Sequence, residues 1–257
     1  MNFESILWQQ ATKNAIALCL RLRRSFAVTS AVLFIATFIC TPAFAQAVES
    51  ICGPLRSEGQ YGPFDYRTDL DKLPIVLGAH FTPEVEALIR GTTSGRPGGD
   101  IDYTLRAIPN NPRALMSMML LGEKEKTTQP SGSRYTVECW FDRAIRFRPD
   151  DSVVRMVYTI FLTKNNRKPE AMQQLDAVLV TAKDNPFTYF NVGLLYLDMQ
   201  EPGKALTQAH KALALGLPRT ELRDKLRAMG KWEEPVVEAP ADASTDPSAA
   251  ASAPKNP

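Results

Sequence analysis

"TYFNVGLLYLDMQEPGKALTQAHKALALGLP", Thr188 to Pro218, decides how this chain folds. Tyr189, Gly193 and Tyr196 fall on one side of a helix that Pro186 opens, and Ala205, Ala209 and Ala212 on one side of the next. Between them lies "QEPG", with Pro202 at a place where a helix can start but not pass through. Small residues set against large ones let two helix backbones approach while the rings fill the remaining space. The spacing therefore predicts two helices built to pack closely on each other.

The pattern returns when the stretch is moved back by 34 residues. Ala205, Ala209 and Ala212 then meet Ala171, Leu175 and Val178, and one period earlier Val137, Phe141 and Ala144. On the preceding helix Tyr196 meets Leu162 and Tyr189 meets Arg155. Breakers fall between the helices in "NNRKPEA" and "QEPGKA", and between the pairs in "RPDD" and "KDNP". The copy from Ser152 to Lys183 is degenerate, with Thr159 in place of the glycine, Leu162 in place of the tyrosine and Val178 in place of the alanine. The copy from Pro112 to Pro149 keeps "FDRAIRFRPDD", but its first helix, "PRALMSMMLLG", is displaced by six residues. That insertion falls in the polar stretch "EKTTQPSGS", where extra loop length costs little. Earlier, "FTPEVEALIRG" reads as a helix capped by Thr82, opened by Pro83 and stopped by Gly91. After the Gly-rich "TTSGRPGG", the stretch "DIDYTLRAIPNNPRAL" reads as the second helix of a fourth, divergent pair. At the other end "PRTELRDKLRAMGKW" places Leu222, Leu226 and Met229 on one face and charge elsewhere, as a capping helix requires.

This period, together with Tyr189-Phe190-Asn191-Val192-Gly193, Tyr196, Ala205 and Ala212, resembles the tetratricopeptide repeat (TPR) family, over Phe81 to Trp232 and most closely in the last copy. The resemblance implies an all-α fold: a TPR-like helix-turn-helix solenoid with an irregular N-terminal extension and a C-terminal capping helix. It also implies a protein-binding scaffold or adaptor without a cofactor, whose first helices line a concave face that takes a protein or peptide partner. Mapped onto this chain, that face is Met116, Leu120, Met156, Ile160, Phe187, Phe190, Asn191 and Leu194. Methionine suits an adaptable surface. Relatives that grip a C-terminal carboxylate use Lys, Asn and Arg there, and of these Asn191 alone is matched. The alternative is a structural subunit of a cell-envelope assembly, so the chain is expected as a monomer or as one member of a complex.

The two ends carry other signals. Lys13, Arg21, Arg23 and Arg24 precede the apolar run Phe26 to Cys40 and then Ala43-Phe44-Ala45, the layout of a cleaved export signal over residues 1–45. An uncleaved anchor is the minor alternative, because the run is shorter than the ~20 residues a span requires. The signal holds four of the 30 Lys+Arg and one of the 28 Asp+Glu, so the rest of the chain holds 26 against 27 and a formal charge of −1. The basic balance thus belongs to the leader, and nothing in the remainder favours nucleic acid, or a membrane after cleavage. Export predicts a periplasmic or secreted protein. Of its four cysteines Cys19 and Cys40 leave with the signal, and Cys52 and Cys139 are expected to pair in an oxidising compartment. Residues 46–80 show no helical period and read as an irregular apolar extension. Tyr61, Phe64 and Tyr66 in that segment offer a second fate for the concave stripe, which is to be covered by the chain's own N-terminus. Residues 233–257, rich in Pro, Ala and Ser, read as a disordered tail.

Little in the sequence points to catalysis, and an enzyme is not expected. His80 and His210 lack metal-ligand spacing, and "SGRPGGD" lacks the Lys-Ser/Thr of a phosphate loop. The residual enzymatic reading places a site at the Gly-rich loop Thr92 to Asp100 with His80 or Arg96 beside it. "RAIRFR", Arg143 to Arg148, reads as a solvated face paired with Asp142, Asp150 and Asp151 rather than an anion site.

Overall fold

The computed structural model describes residues 51–235; the expected signal, and the tail beyond Pro235, lie outside them. Among the described residues there are ten helices and no strand. The chain is all-α. In order they are α1 (Leu73–His80), α2 (Pro83–Glu86), α3 (Pro97–Ala107), α4 (Pro112–Glu125), α5 (Val137–Phe147), α6 (Ser152–Lys164), α7 (Lys168–Thr181), α8 (Pro186–Asp198), α9 (Pro202–Ala214) and α10 (Glu221–Ala228).

Their starts follow from the breakers in the sequence. Asn111, Asp151 and Asn185 accept hydrogen bonds from the first-turn N–H groups of α4, α6 and α8, and Thr136 does the same for Cys139 in α5. Proline occupies the first turn of α4, α7, α8 and α9, where its missing N–H would have had no helical partner. The turns repeat as well. Asn166 and Gln200, 34 residues apart, both take left-handed backbone, at φ 59° and 60°, and each ends the first helix of a pair.

Packing follows residue size. α6 lies along α7 and α8 along α9, and each of α4, α6 and α8 touches the next. Leu162, Leu175, Val178, Tyr189, Tyr196, Ala205 and Ala212 form one buried cluster. Completely burying a leucine such as Leu162 or Leu175 stabilises by about 1.5–3 kcal/mol. α10 closes this end, with Leu222 and Leu226 buried. Gly193 is the residue that admits it: a Cβ there would sit 2.4 Å from Leu222 Cδ2. A second cluster joins α2 to α6 through Val85, Ile101, Leu105, Leu115, Trp140 and Phe141. Tyr158 and Phe161 of α6 pack against both clusters.

Two expectations for the N-terminal part fail. Leu73–His80 is helical, although residues 46–80 read as irregular. Its sequence, "LPIVLGAH", is apolar nearly all round and gives no period to detect. The helix expected to run to Gly91 is four residues long, and the chain turns at Leu88 with φ 58°. Thr82 makes no capping bond there, its hydroxyl lying instead 3.1 Å from that of Thr92.

Candidate partner-binding face

The apolar stripe read from the sequence lies on α4, α6 and α8, three helices that pack in succession. Leu120 and Phe187 are 40% and 51% exposed, and Asn191 is exposed. Met116 and Ile160 are half-buried against the α2–α6 cluster, and Met156 and Leu194 against the α6–α10 cluster. Phe190 stands apart from the others: it is 2% exposed and belongs to the core. Arg219, from the turn between α9 and α10, lies 5.6 Å from both the Phe187 and the Phe190 rings. Phe187 therefore presents the aromatic surface that the sequence assigned equally to Phe190. Sequence reasoning missed Val153, which stands 34 residues before Phe187 on α6 and is 47% exposed. The repeat period was the signal that would have found it.

The N-terminal segment does not bring its aromatics to this stripe. Phe64 and Tyr66 pack with Leu73, Val76, Ala107 and Ile108, and Tyr61 meets Phe64 edge-on at 4.7 Å. The segment is tied down by polar contacts instead. Cys52 and Cys139 form a disulfide, with their sulfurs 2.07 Å apart. Beside it Arg143 is 1% exposed, so the solvated face expected for "RAIRFR" is not what forms. Its Nη1 donates to the carbonyls of Cys52 and Pro54, at 3.0 and 2.6 Å, and its guanidinium lies over Tyr135 at 4.6 Å. Burial pushes this guanidinium's pKa down. Arg146 adds a bond to the Gly53 carbonyl and an i,i+4 pair with Asp142. The period placed Arg143 on a helix, but its partners lie 91 and 89 residues away in sequence.

A second tie runs through Asp65, which is buried and contacts Arg67 and Arg148. Asn110 donates to Asp65 at 2.7 Å and to Asp151, the α6 cap, at 2.9 Å. Burial works against ionisation of Asp65, yet the bonds from Arg67 and Asn110 outweigh it and hold its carboxyl well below the usual range.

The Gly-rich loop is organised by Asp100 at the first turn of α3. That carboxylate is wholly buried and accepts from the backbone N–H groups of Thr92, Thr93 and Ser94 and from the hydroxyls of Thr93 and Ser94. His80 Nδ1 lies 2.9 Å from Asp100 Oδ1 and 2.9 Å from the Thr93 hydroxyl, and its ring stacks on Tyr103 at 3.9 Å. Burial raises the Asp100 pKa, but the bonds from Thr93, His80 and Ser94 carry it far below the ordinary carboxylate value. Hydroxyl and imidazole meet the same carboxylate, which makes the cluster an anchor for the loop's own backbone. Arg96 is exposed, and its carbonyl accepts from the Ser94 hydroxyl and the Gly99 N–H. His210 sits apart from all of this on α9, edge-on to Trp232 with its Nε2 2.7 Å from the Glu233 carbonyl.

Among the described residues no group of three or more His, Cys, Asp or Glu is placed to hold a metal ion, and no helix is long and apolar enough to cross a membrane. Compared with known proteins, the chain matches no family model, no curated protein and no solved structure.

Proposed function

We propose that this chain is an exported protein-binding scaffold, built as a short TPR-like solenoid that takes a protein or peptide segment on the face formed by α4, α6 and α8. The observation that carries the reading is Val153 with Phe187. The same apolar position, one period apart, is about half exposed on two helices that pack side by side, at 47% and 51%. Leu120 on α4 extends the stripe to the third helix. Repeated exposure of large apolar groups at one helical position marks a surface meant to be covered. The half-buried Met116 and Met156 beside it supply side chains that re-pack around different ligands. The disulfide favours a compartment outside the reducing cytoplasm, in line with the export signal read from the N-terminus.

Cross-linked co-purification from the native cell envelope tests this, comparing wild type with Leu120→Ser/Phe187→Ser. Both positions are exposed, so helicity by circular dichroism should be unchanged. A discrete partner present with wild type and lost with the variant supports the reading. A partner retained by the variant, or none with either, counts against it.

A further inference from the structure

The six-residue insertion that breaks the repeat register has a structural consequence. Three residues join α6 to α7 and three join α8 to α9, whereas eleven, 126–136, join α4 to α5. Long connections free two helices from close side-by-side packing, and a cleft of about 510 Å³ opens between the end of α4, this loop, the start of α5 and the end of α6. That volume lies within the range of small-molecule sites, roughly 300–1,000 Å³. Its apolar lining comes from Met119, Val137 and Phe161.

The charges around it are unequal. Glu123 is paired with Lys164 at 2.9 Å. Glu138 is paired with Arg167 at 2.6 Å and accepts from the Tyr158 hydroxyl at 2.9 Å. Burial, and then that bond to Glu138, push the Tyr158 pKa up, so its hydroxyl stays a donor to the carboxylate. Lys126 has no such partner among the described residues, and neither does the Thr128 hydroxyl. Thr136 accepts from the Cys139 N–H at 3.2 Å, which leaves its own hydroxyl proton to donate. Both acids thus have donors from outside the cleft, Arg167 being shared between Glu138 and Glu170, while the Lys126 ammonium and two hydroxyl donors line it without such partners.

We propose that this cleft binds a small amphipathic carboxylate, its apolar body against Met119, Val137 and Phe161 and its head group at Lys126 and the two threonine hydroxyls. A single lysine with no arginine in the lining suits a monoanion better than a phosphate, which favours bidentate donors. A cationic ligand would meet carboxylates that already have partners. The site is separate from the α4–α6–α8 face, since neither Leu120 nor Phe187 lines it.

Calorimetric titration of the purified full chain with octanoate, and with octanol as its neutral counterpart, tests the proposal. Methyl resonances of Met119 report where the ligand sits. Octanoate is expected to bind one saturable site and shift Met119, and octanol to bind roughly tenfold more weakly. Lys126→Gln, at an exposed position without contacts to lose, should weaken octanoate by roughly tenfold, and Lys231→Gln, also exposed, should leave it unchanged. Phe187→Ser should also bind as wild type does. The proposal is overturned if octanoate shows no saturable binding at millimolar concentration, if Lys126→Gln binds it undiminished, or if Met119 does not respond. Loss of binding in Phe187→Ser would move the site to the α4–α6–α8 face and overturn it equally.

Discussion

Two halves of this molecule solve the same packing problem with different chemistry. From α6 to α10 helices meet through Ala171, Gly193, Ala205 and Ala212, and the rings of Tyr189 and Tyr196 fill what remains. From residue 51 to α5 polar and covalent ties are added to the apolar core: a disulfide, a buried arginine on backbone carbonyls, and two buried aspartates with their donors. The difference teaches that residue size at one helical spacing is enough where short turns join the helices, as between α6 and α7 and between α8 and α9. Where longer irregular segments intervene, as in residues 51–72 and 87–96, polar ties fasten them to the helices.

The contrast breaks most visibly at the disulfide. Cys52→Ser with Cys139→Ser opens a loop with a sequence separation of 87, and chain entropy puts the loss at about 4–5 kcal/mol. It also frees the segment that supplies Arg143 with its acceptors. Urea unfolding measures the loss, and an unchanged midpoint would show that packing, not the tie, holds this half.

Asp100→Asn comes next, at about 3 kcal/mol near neutral pH, because several donors then face an uncharged amide. The folded pKa of Asp100 is depressed. Its stabilisation is therefore complete above the ordinary carboxylate range, near about pH 4, and fades as the pH falls below it. The gap between wild type and Asp100→Asn should accordingly narrow on acidification. A gap that stays constant down to acid pH would mean the loop is held by something other than that charge.

How legible each half was follows from the range of its contacts. The helices α6 to α9 could be read from residue size and breakers, because Pro202, Asn185 and the alanines act on neighbours within a turn or one period away. Arg143 and Asp65 could not, since their partners are remote: Arg143 bonds carbonyls 91 and 89 residues away, and Asn110 joins Asp65 and Asp151 across sequence separations of 45 and 41. Asp100 finds its donors only six to eight residues away, but in a loop with no period to read. A charge in a helix looks solvated until the segment that buries it is known. α1 was invisible for the opposite reason, being apolar on every side. Along the candidate face the period placed the stripe on α4, α6 and α8 but did not separate the buried Phe190 from the exposed Phe187.

On the other side of the comparison, Gly193 and Leu222 should behave as a coupled pair. Leu222→Ala alone removes a buried side chain and should cost about 2–4 kcal/mol. Gly193→Ala alone gains up to about 1 kcal/mol of helix propensity but crowds Leu222, for a net cost of about 1 kcal/mol. The double variant should be milder than the sum by about 1 kcal/mol, since the added methyl enters the space the leucine vacates. Strict additivity in a double-mutant cycle would remove the close approach as the reason for the glycine.

The smallest effect expected is at an ion pair in the same half. Lys168 at the start of α7 meets Glu201 before α9 at 2.5 Å, but the two side chains are 45% and 33% exposed. Hydrogen bonding and charge from Lys168 lower the Glu201 pKa, in a setting where water and salt screen most of the attraction. Lys168→Ala should therefore leave the urea midpoint indistinguishable from that of wild type, with no dependence on ionic strength beyond that of wild type. A clear drop in the midpoint would mean that the α6–α10 half also relies on charge, and the contrast between the halves would then be one of degree. A negligible loss would confine the polar fastening to the stretch from residue 51 to α5.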